Sequence, residues 1–284
     1  MFRKILPVMA ILALGLSACG FTITLPGTQP SGPTTTDQIT LPMPSDVTQP
    51  VYMTLSFGAG TLKVHSGTQS LVSGTATYNV ADFKPVITIN GSAISIEQGT
   101  LHLNGLPDLT NLKNEWDLAL GNVPINLTVE GGAYNATYHL GGLAITDLTI
   151  KDGAAQSTLD FTTPNASEMN LLRYETGASN VSLTGLANAN FTSLDFSSGA
   201  GNFSLDFSGK LKRDGAVNIE TGVSNLTLII PQGVPAQVSV EGGLSNVAHS
   251  SDWTKNANLY TQAGTGPQLT MVVSIGAGNL TLNH

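Results

Sequence analysis

The sequence predicts an all-β chain wound as a right-handed parallel β-solenoid, a single-stranded β-helix with coils of about 22 residues. Two observations carry that expectation. The motif Gly-x-x-Asn-h-x-h, with h apolar, recurs around Gly58, Gly132, Gly153, Gly177, Gly199, Gly222, Gly243 and Gly276, and the gaps from Gly132 to Gly243 are 21, 24, 22, 23 and 21 residues. Apolar pairs two residues apart flank each glycine, and that spacing places side chains on one face of a strand.

Five and three residues before the glycine stand pairs such as Leu127/Val129, Leu172/Tyr174, Leu194/Phe196 and Val217/Ile219. Four and six residues after it stand Leu62/Val64, Val181/Leu183, Phe203/Leu205 and Leu226/Leu228. Each repeat therefore reads as strand, glycine turn and strand, with room for a third short strand at 188–192 or 235–237. The glycine is expected where the chain corners with φ > 0. Three residues on, asparagine dominates: Asn135, Asn180, Asn202, Asn225, Asn246 and Asn279 are expected to form a turn ladder with amide-to-amide bonds between layers.

Irregularities in the period mark the ends. Ile94/Ile96 with Gly99, His102 and Leu103 form a partial copy, and the stretch 101–122 with Pro107 and Trp116 breaks the pattern. Gly243 to Gly276 spans 33 residues, so 250–266, with Trp253 and Tyr260, reads as an inserted loop or cap. Open solenoid ends expose core and unpaired strand edges, so both tryptophans read as cap residues.

The N-terminus supplies an address. Arg3 and Lys4 precede a short apolar stretch from Ile5 to Leu16, and Leu16-Ser17-Ala18 leads into Cys19, the sole cysteine. The apolar run is too short to span a bilayer, which takes about 20 residues, so 1–18 reads as a lipoprotein signal peptide. The small residues before Cys19 resemble the lipobox of bacterial lipoproteins. That resemblance implies diacylation of Cys19 and a membrane contact made through acyl chains. Residues 19–50, rich in Thr, Pro, Ser and Gly, read as the lipidated cysteine and a tether, although Phe21-Thr-Ile-Thr-Leu25 alternates briefly. A 31-residue tether has an r.m.s. span of about 30 Å. Residues 51–284 form the folded domain, and no later segment is long and apolar enough to span a membrane.

Composition narrows the function. The net charge is −8, and losing Arg3 and Lys4 with the signal leaves the chain more acidic. Only Arg173 and Arg213 remain as arginines, so nucleic acid is not an expected partner. Charged residues make up 11% of the chain, about half the usual share, which suits polar strand faces and tight turns. One cysteine forms no intramolecular disulfide, so apolar stacking and hydrogen bonds must hold the fold.

A search for chemistry finds little. His65, His102, His139, His249 and His284 show no close metal-ligand spacing, and there is no nucleophile elbow or phosphate loop. No catalytic residue, cofactor or metal is expected. Two residues before the glycines stand Glu130, Lys151, Glu175, Ser197, Glu220 and Glu241. Stacked in sequence order, Glu220 and Glu241 would lie one layer apart, where calcium is conceivable, although solvated edge charges explain them equally. Lys210, Lys212, Arg213, Asp206 and Asp214 form a charge-dense loop, a candidate partner site.

The segments Asn114-Glu-Trp-Asp-Leu-Ala-Leu120, Val123-Pro-Ile-Asn-Leu127 and Gly142-Leu-Ala-Ile-Thr-Asp-Leu-Thr-Ile150 resemble bacterial toast-rack domains. So do Phe57-Gly-Ala-Gly60, Gly199-Ala-Gly201 and Leu205-Asp-Phe-Ser-Gly209. Related domains sit at the C-termini of membrane regulators of the cell-wall antibiotic response and among surface adhesins. The resemblance implies a non-enzymatic envelope role and brings no catalytic residues. The expected function is therefore a lipid-anchored, non-catalytic bacterial envelope protein, on the outer face of the cytoplasmic membrane or on the outer membrane. Its repetitive surface would serve adhesion or contact with an envelope polymer or protein. The alternatives are an accessory regulator of an envelope-stress response and a glycan-active β-helix enzyme.

Overall fold

The computed structural model describes residues 32–46, 49–99 and 111–284. The expected signal peptide, Cys19, most of the tether, His102 and Leu103 lie outside these residues. The described chain is all-β, built around eight long strands, each carrying one repeat glycine. These are β2 (Val51–Thr68), β7 (Pro124–His139), β8 (Ala144–Asp160), β9 (Met169–Thr184), β10 (Phe191–Asp206), β11 (Gly215–Ile229), β12 (Ala236–His249) and β15 (Leu269–Asn283). They pair in parallel and in register, so Leu194 meets Leu172 and Val217, and Phe203 meets Val181 and Leu226.

Each long strand runs unbroken through its glycine, and the bend there is a change of phase. In β11, Val217, Ile219 and Thr221 point inward, Gly222 and Val223 both face out, and Ser224, Leu226 and Leu228 point inward again. Two successive outward residues shift the two-residue period by one, and the inner face turns a corner. The strand thus has two arms whose apolar faces meet. Between the arms lies one continuous core, including Leu55, Val64, Leu127, Tyr138, Leu172, Phe196, Leu205, Leu228 and Val273, each at most 1% exposed. A buried aliphatic or aromatic side chain contributes roughly 1.5–3 kcal/mol, and the repeat multiplies that term layer by layer.

The structure corrects the reason for the repeat glycines. None of the eight appears among the positive-φ residues, which in the Gly-Ala-Gly copies are instead the second glycines: Gly60 (φ 128°), Gly201 (φ 151°) and Gly278 (φ 139°). Six of the eight repeat glycines are required by crowding. A Cβ at Gly153, Gly199 or Gly276 would stand 2.7–2.8 Å from the carbonyl oxygen of the glycine one layer below, and at Gly132, Gly177 or Gly222 closer still. The corner backbones touch, and no side chain fits between them.

The stacking order also departs from sequence order. β15 lies between β11 and β12, with Asn225 opposite Asn279 and Asn279 opposite Asn246. The long interval after Gly243 folds as a hairpin, β13 (Trp253–Asn256) and β14 (Leu259–Gln262), whose second strand pairs antiparallel with the first arm of β12. Trp253 and Tyr260 are buried there, as a cap requires. β12 is the copy with the weakest core pattern, and the end of the stack tolerates it because its inner face has one long-strand neighbour. His249 packs against the Tyr260 ring at 5.5 Å.

At the opposite end the two arms of β2 acquire different neighbours. The first arm pairs with β5 (Ala93–Gln98), which pairs antiparallel with β4 (Pro85–Asn90). The second arm pairs with β6 (Asn114–Gly121), followed by β3 (Val72–Tyr78) and β1 (Thr35–Leu41). The partial repeat is thus divided: Ile94 and Ile96 sit in β5, and buried Trp116 in β6 supplies the other arm. Residues 35–41, expected in the tether, belong to the folded body, with Ile39 and Leu41 in the core. The third short strand expected at 188–192 is not formed, because Leu186–Ala189 is a 3-10 turn and Phe191 already opens β10. Side-chain amides secure the return loops: buried Asn165 brackets the backbone N–H and C=O of Ile145, and the partly buried Asn188 amide donates to the Phe161 carbonyl at 2.9 Å.

Crowding at the corner makes a graded prediction. Gly177→Ala should destabilise the protein by roughly 2–4 kcal/mol through overpacking. Gly243→Ala, whose new Cβ would stand 3.5 Å from the Gly276 carbonyl oxygen, should cost less than about 1 kcal/mol. Equal midpoints for the two variants in denaturant unfolding would refute the steric account.

Candidate functional site

The repeated outward faces beside the corner form the candidate site. Two residues before the glycines, adjacent layers present Ser56, Glu130, Lys151, Glu175, Ser197, Glu220, Ser274 and Glu241 as one column. The six from Glu130 to Ser274, with Gly153, Gly222 and Gly276, line an open groove of about 830 Å³. Lys151 lies between two acids and approaches Glu130 at 3.8 Å, while Arg173 reaches Glu175 at 3.7 Å and Asp195 at 3.1 Å. All these ion pairs are substantially solvated, so each contributes little to stability, and the column remains an acidic, hydroxyl-bearing surface.

The expected neighbouring of Glu220 and Glu241 is corrected by the insertion of β15. Ser274 stands between them, placing the two carboxylates two layers, about 9–10 Å, apart. That is too far for one calcium ion with ligands at 2.3–2.6 Å. Among the described residues no group of three or more His, Cys, Asp or Glu side chains is arranged to hold a metal. The charge-dense loop is partly structural: Arg213 pairs with Glu168 at 2.6 Å, and the Asp214 carboxylate accepts from the Gln268 backbone N–H at 2.8 Å. The Arg213 guanidinium holds the Glu168 carboxyl below its ordinary range, by hydrogen bonding first and charge second.

On the other side of the corner runs the asparagine column. The Asn202 amide donates to Asn180 at 2.8 Å, Asn225 to Asn202 at 3.0 Å, and Asn279 to Asn225 at 2.8 Å. Asn246 stands in register beyond Asn279, and Asn135 and Gln156 stand in register before Asn180. The bonded run is exposed. The earlier part of the column, Asn135, Gln156 and Asn180, lines a second groove of about 590 Å³ together with small residues of the ridge such as Ala133, Ala154 and Ala178.

Inside the corner lies a polar cluster that the spacing of the flanking pairs alone did not bring forward. Asp152, one residue before Gly153, is buried, and its two carboxylate oxygens accept from the Tyr134 and Tyr174 hydroxyls. Tyr134 also bonds Tyr138 at 2.8 Å. A phenol carries one proton, so Tyr138 donates to Tyr134, which in turn donates to Asp152. Burial is the main cause that raises the Asp152 pKa, and the two tyrosine hydrogen bonds oppose it. Burial, reinforced by the carboxylate, drives the Tyr134 and Tyr174 pKa values far up, so both phenols stay protonated donors. The strand period does place Asp152 on the inner face, because it continues the alternation of Leu148 and Ile150. The same inner positions are hydroxyls elsewhere: Thr176 meets Ser179 at 2.5 Å and Thr221 meets Ser224 at 2.7 Å across the bend.

A bent parallel sheet with backbone contact at a glycine corner and two arms closing on one core defines the toast-rack class of β-solenoid. The family described as the N-terminal domain of toast_rack, DUF2154, matches residues 30–184 and 168–229, and the chain belongs to that family. No curated protein matches the chain. Among solved structures it is similar to a candidate cell adhesion protein from Clostridium sporogenes, at 18% identity and a TM-score of 0.48, covering 88% of this chain and 99% of the other. It is also similar to a candidate lipid binding protein from Parabacteroides distasonis, at 11% identity and TM-score 0.45, covering 89% and 99%. A third is a candidate adhesin from Bacteroides fragilis, at 10% identity and TM-score 0.37, covering 90% and 100%.

The raised Asp152 pKa fixes the sign of a pH effect. The folded state holds the proton more tightly than the unfolded chain, so the stability Asp152 contributes is complete below the ordinary aspartate value and is lost as pH rises through the folded pKa. Asp152→Asn removes the titration. Its melting temperature relative to wild type should therefore climb as pH rises through that window, and a pH-independent difference in thermal melts would contradict this. Asn202→Ala, which breaks two solvated ladder bonds, should cost only about 0.5–1.5 kcal/mol in denaturant unfolding.

Proposed function

We propose that this protein is a lipid-anchored, non-catalytic component of the bacterial envelope, a right-handed toast-rack solenoid with coils of about 22 residues that offers its corner grooves to an extended partner. The observation that carries the reading is repetition. The groove before the corner presents the same kinds of side chain at strand spacing through consecutive layers, and such a surface suits a polymer whose own units repeat. Right-handed winding is supported by the general rule that about 98% of parallel crossover connections have that hand.

The groove's chemistry narrows the partner. Glu130, Glu175 and Glu220 repel polyanions, while carboxylates and serine hydroxyls accept and donate hydrogen bonds to hydroxyl- and amine-bearing sugars. A neutral or amino-bearing envelope polysaccharide fits better than an anionic one. Cys19 supports the membrane attachment: two or three acyl chains, at about 0.8 kcal/mol per buried CH₂, hold a protein at a bilayer without a spanning segment. No helix of the described residues is long and apolar enough to cross a membrane.

Two measurements test this reading. Cys19→Ala should move the full chain from the membrane fraction to the soluble fraction, and continued sedimentation with membranes would defeat the lipid-anchor claim. The Cys19→Ala chain should co-sediment with insoluble cell-wall polymer. Replacing Glu130, Glu175 and Glu220 together by Lys should weaken that retention at least about tenfold. Unchanged retention would remove the groove from consideration.

A further inference from the structure

The hairpin of β4 and β5 turns on two residues, Gly91 and Ser92, with Asn90 paired to Ala93 at its base. Gly91 has φ 61° and Ser92 is not among the positive-φ residues, which is the pattern of a type II′ turn with glycine in its first central place. Asn90, Gly91 and Ser92 are all exposed. The Ser92 carbonyl ties the turn to the stack by accepting from the Tyr52 N–H at 2.9 Å. Gly91 itself stands in open space: chain neighbours apart, no atom of the described residues lies within 4 Å of where its Cβ would be. Among the described asparagines, Asn90 alone precedes a glycine.

The residue after an asparagine matters because its backbone nitrogen can reach back to the side-chain carbonyl. A Cβ beside that nitrogen crowds the approach, and glycine has none. The ladder asparagines are followed by large buried side chains: Asn180 by Val181, Asn202 by Phe203, Asn225 by Leu226 and Asn279 by Leu280. Their strands are also paired on both sides, which fixes the backbone. Asp214-Gly215 is a chemical relative of the Asn90 pair, but it is locked. The Asp214 carboxylate accepts from the Gln268 N–H at 2.8 Å, and the Gly215 N–H donates to the Gln268 carbonyl at 2.9 Å.

We propose that Asn90 is a site of spontaneous covalent modification, where the chain converts its own asparagine to aspartate and isoaspartate. The Gly91 nitrogen gives up its proton to solvent base and bonds to the Asn90 Cγ. The bond from Cγ to the side-chain nitrogen breaks, ammonia leaves with a proton returned from solvent, and a cyclic succinimide closes. Water then opens the ring. Attack at the side-chain carbonyl yields aspartate on the original backbone, and attack at the backbone carbonyl yields isoaspartate, whose main chain runs through the former side chain. One water enters, one ammonia leaves, and nothing is oxidised or reduced. Either product is a carboxylate at neutral pH. Asn90 is in register with Ala93 and, through it, with Tyr52, Asn126 and Asp147, so the new charge joins the outer face of the first arm. Isoaspartate also lengthens the main chain beside the turn, which breaks the Asn90–Ala93 pair and loosens the hairpin attached to β2. The assignment rests on neither the polymer nor the lipid anchor.

Peptide mapping by mass spectrometry tests the assignment on the full chain, purified in detergent and held folded at mildly alkaline pH. Asn90 should convert at least about tenfold faster than Asn180, Asn202, Asn225 and Asn279, with isoaspartate the larger product. Asn104-Gly105, which lies outside the described residues, is told apart by its own fragment ions. Gly91→Ala should slow conversion at Asn90 at least about tenfold, and the crowding acts within the dipeptide, so this holds even where the strained turn opens. In converted chains, amides of β4 and β5 should exchange about tenfold faster while β8 to β10 stay unchanged. An Asn90 that stays intact, or converts no faster than the ladder asparagines, would overturn the proposal. So would an unchanged rate in Gly91→Ala, and unchanged exchange would remove the loosening of the hairpin.

Discussion

The whole fold depends on how closely backbone approaches backbone at the corner. Six of the eight repeat glycines, all but Gly58 and Gly243, lie against the carbonyl oxygen of the glycine below, in a space that excludes even a methyl group. This contact lets a strand keep its hydrogen-bonded ladder while its inner face turns, and it brings the two arms near enough to share a core. A wider corner would separate Val129 from Ala136, or Ile219 from Leu226, and leave both arms with one wet face. The asparagine ladder and the threonine–serine pairs bracket this contact from outside and inside.

The arms were legible because strand period and repeat length reinforce one another. Pairs such as Val217/Ile219 and Leu226/Leu228 sit seven residues apart across Gly222, an odd interval that already encodes the change of phase. The role of the glycine was misjudged because sequence records the lack of a side chain without the cause, and crowding and positive φ select the same residue. In the Gly-Ala-Gly copies it is the second glycines, Gly60, Gly201 and Gly278, that meet the conformational criterion. Asp152 was readable in principle, since continuing the alternation one step past Ile150 puts a carboxylate indoors. The two phenols that bond it, Tyr134 and Tyr174, come from two different strands, and no interval in the sequence announces that Tyr134 leans back over Gly131.

The order of the layers lay beyond a periodic argument. Repeat spacing says that two segments are equivalent, and equivalent segments are interchangeable in a stack. What distinguishes β12 from β15 is quality. β15 has Met271, Val273, Leu280 and Leu282 for its two inner faces, all buried, whereas β12 ends in Val247 and His249. The better strand occupies the interior position and the poorer one meets the hairpin. The Glu220–Glu241 expectation failed for the same reason, because it assumed that neighbours in sequence are neighbours in space.

Placing β15 between β11 and β12 has a consequence for how the protein is made. β15 follows β12 in the chain but stands before it in the stack, so the growing rack cannot be assembled in the order of synthesis. Until residue 283 is available, β11 has a vacant flank and β12 has only β14 to hold it. Closure must therefore wait for β15, and a chain cut short after the hairpin would lose two rungs instead of one.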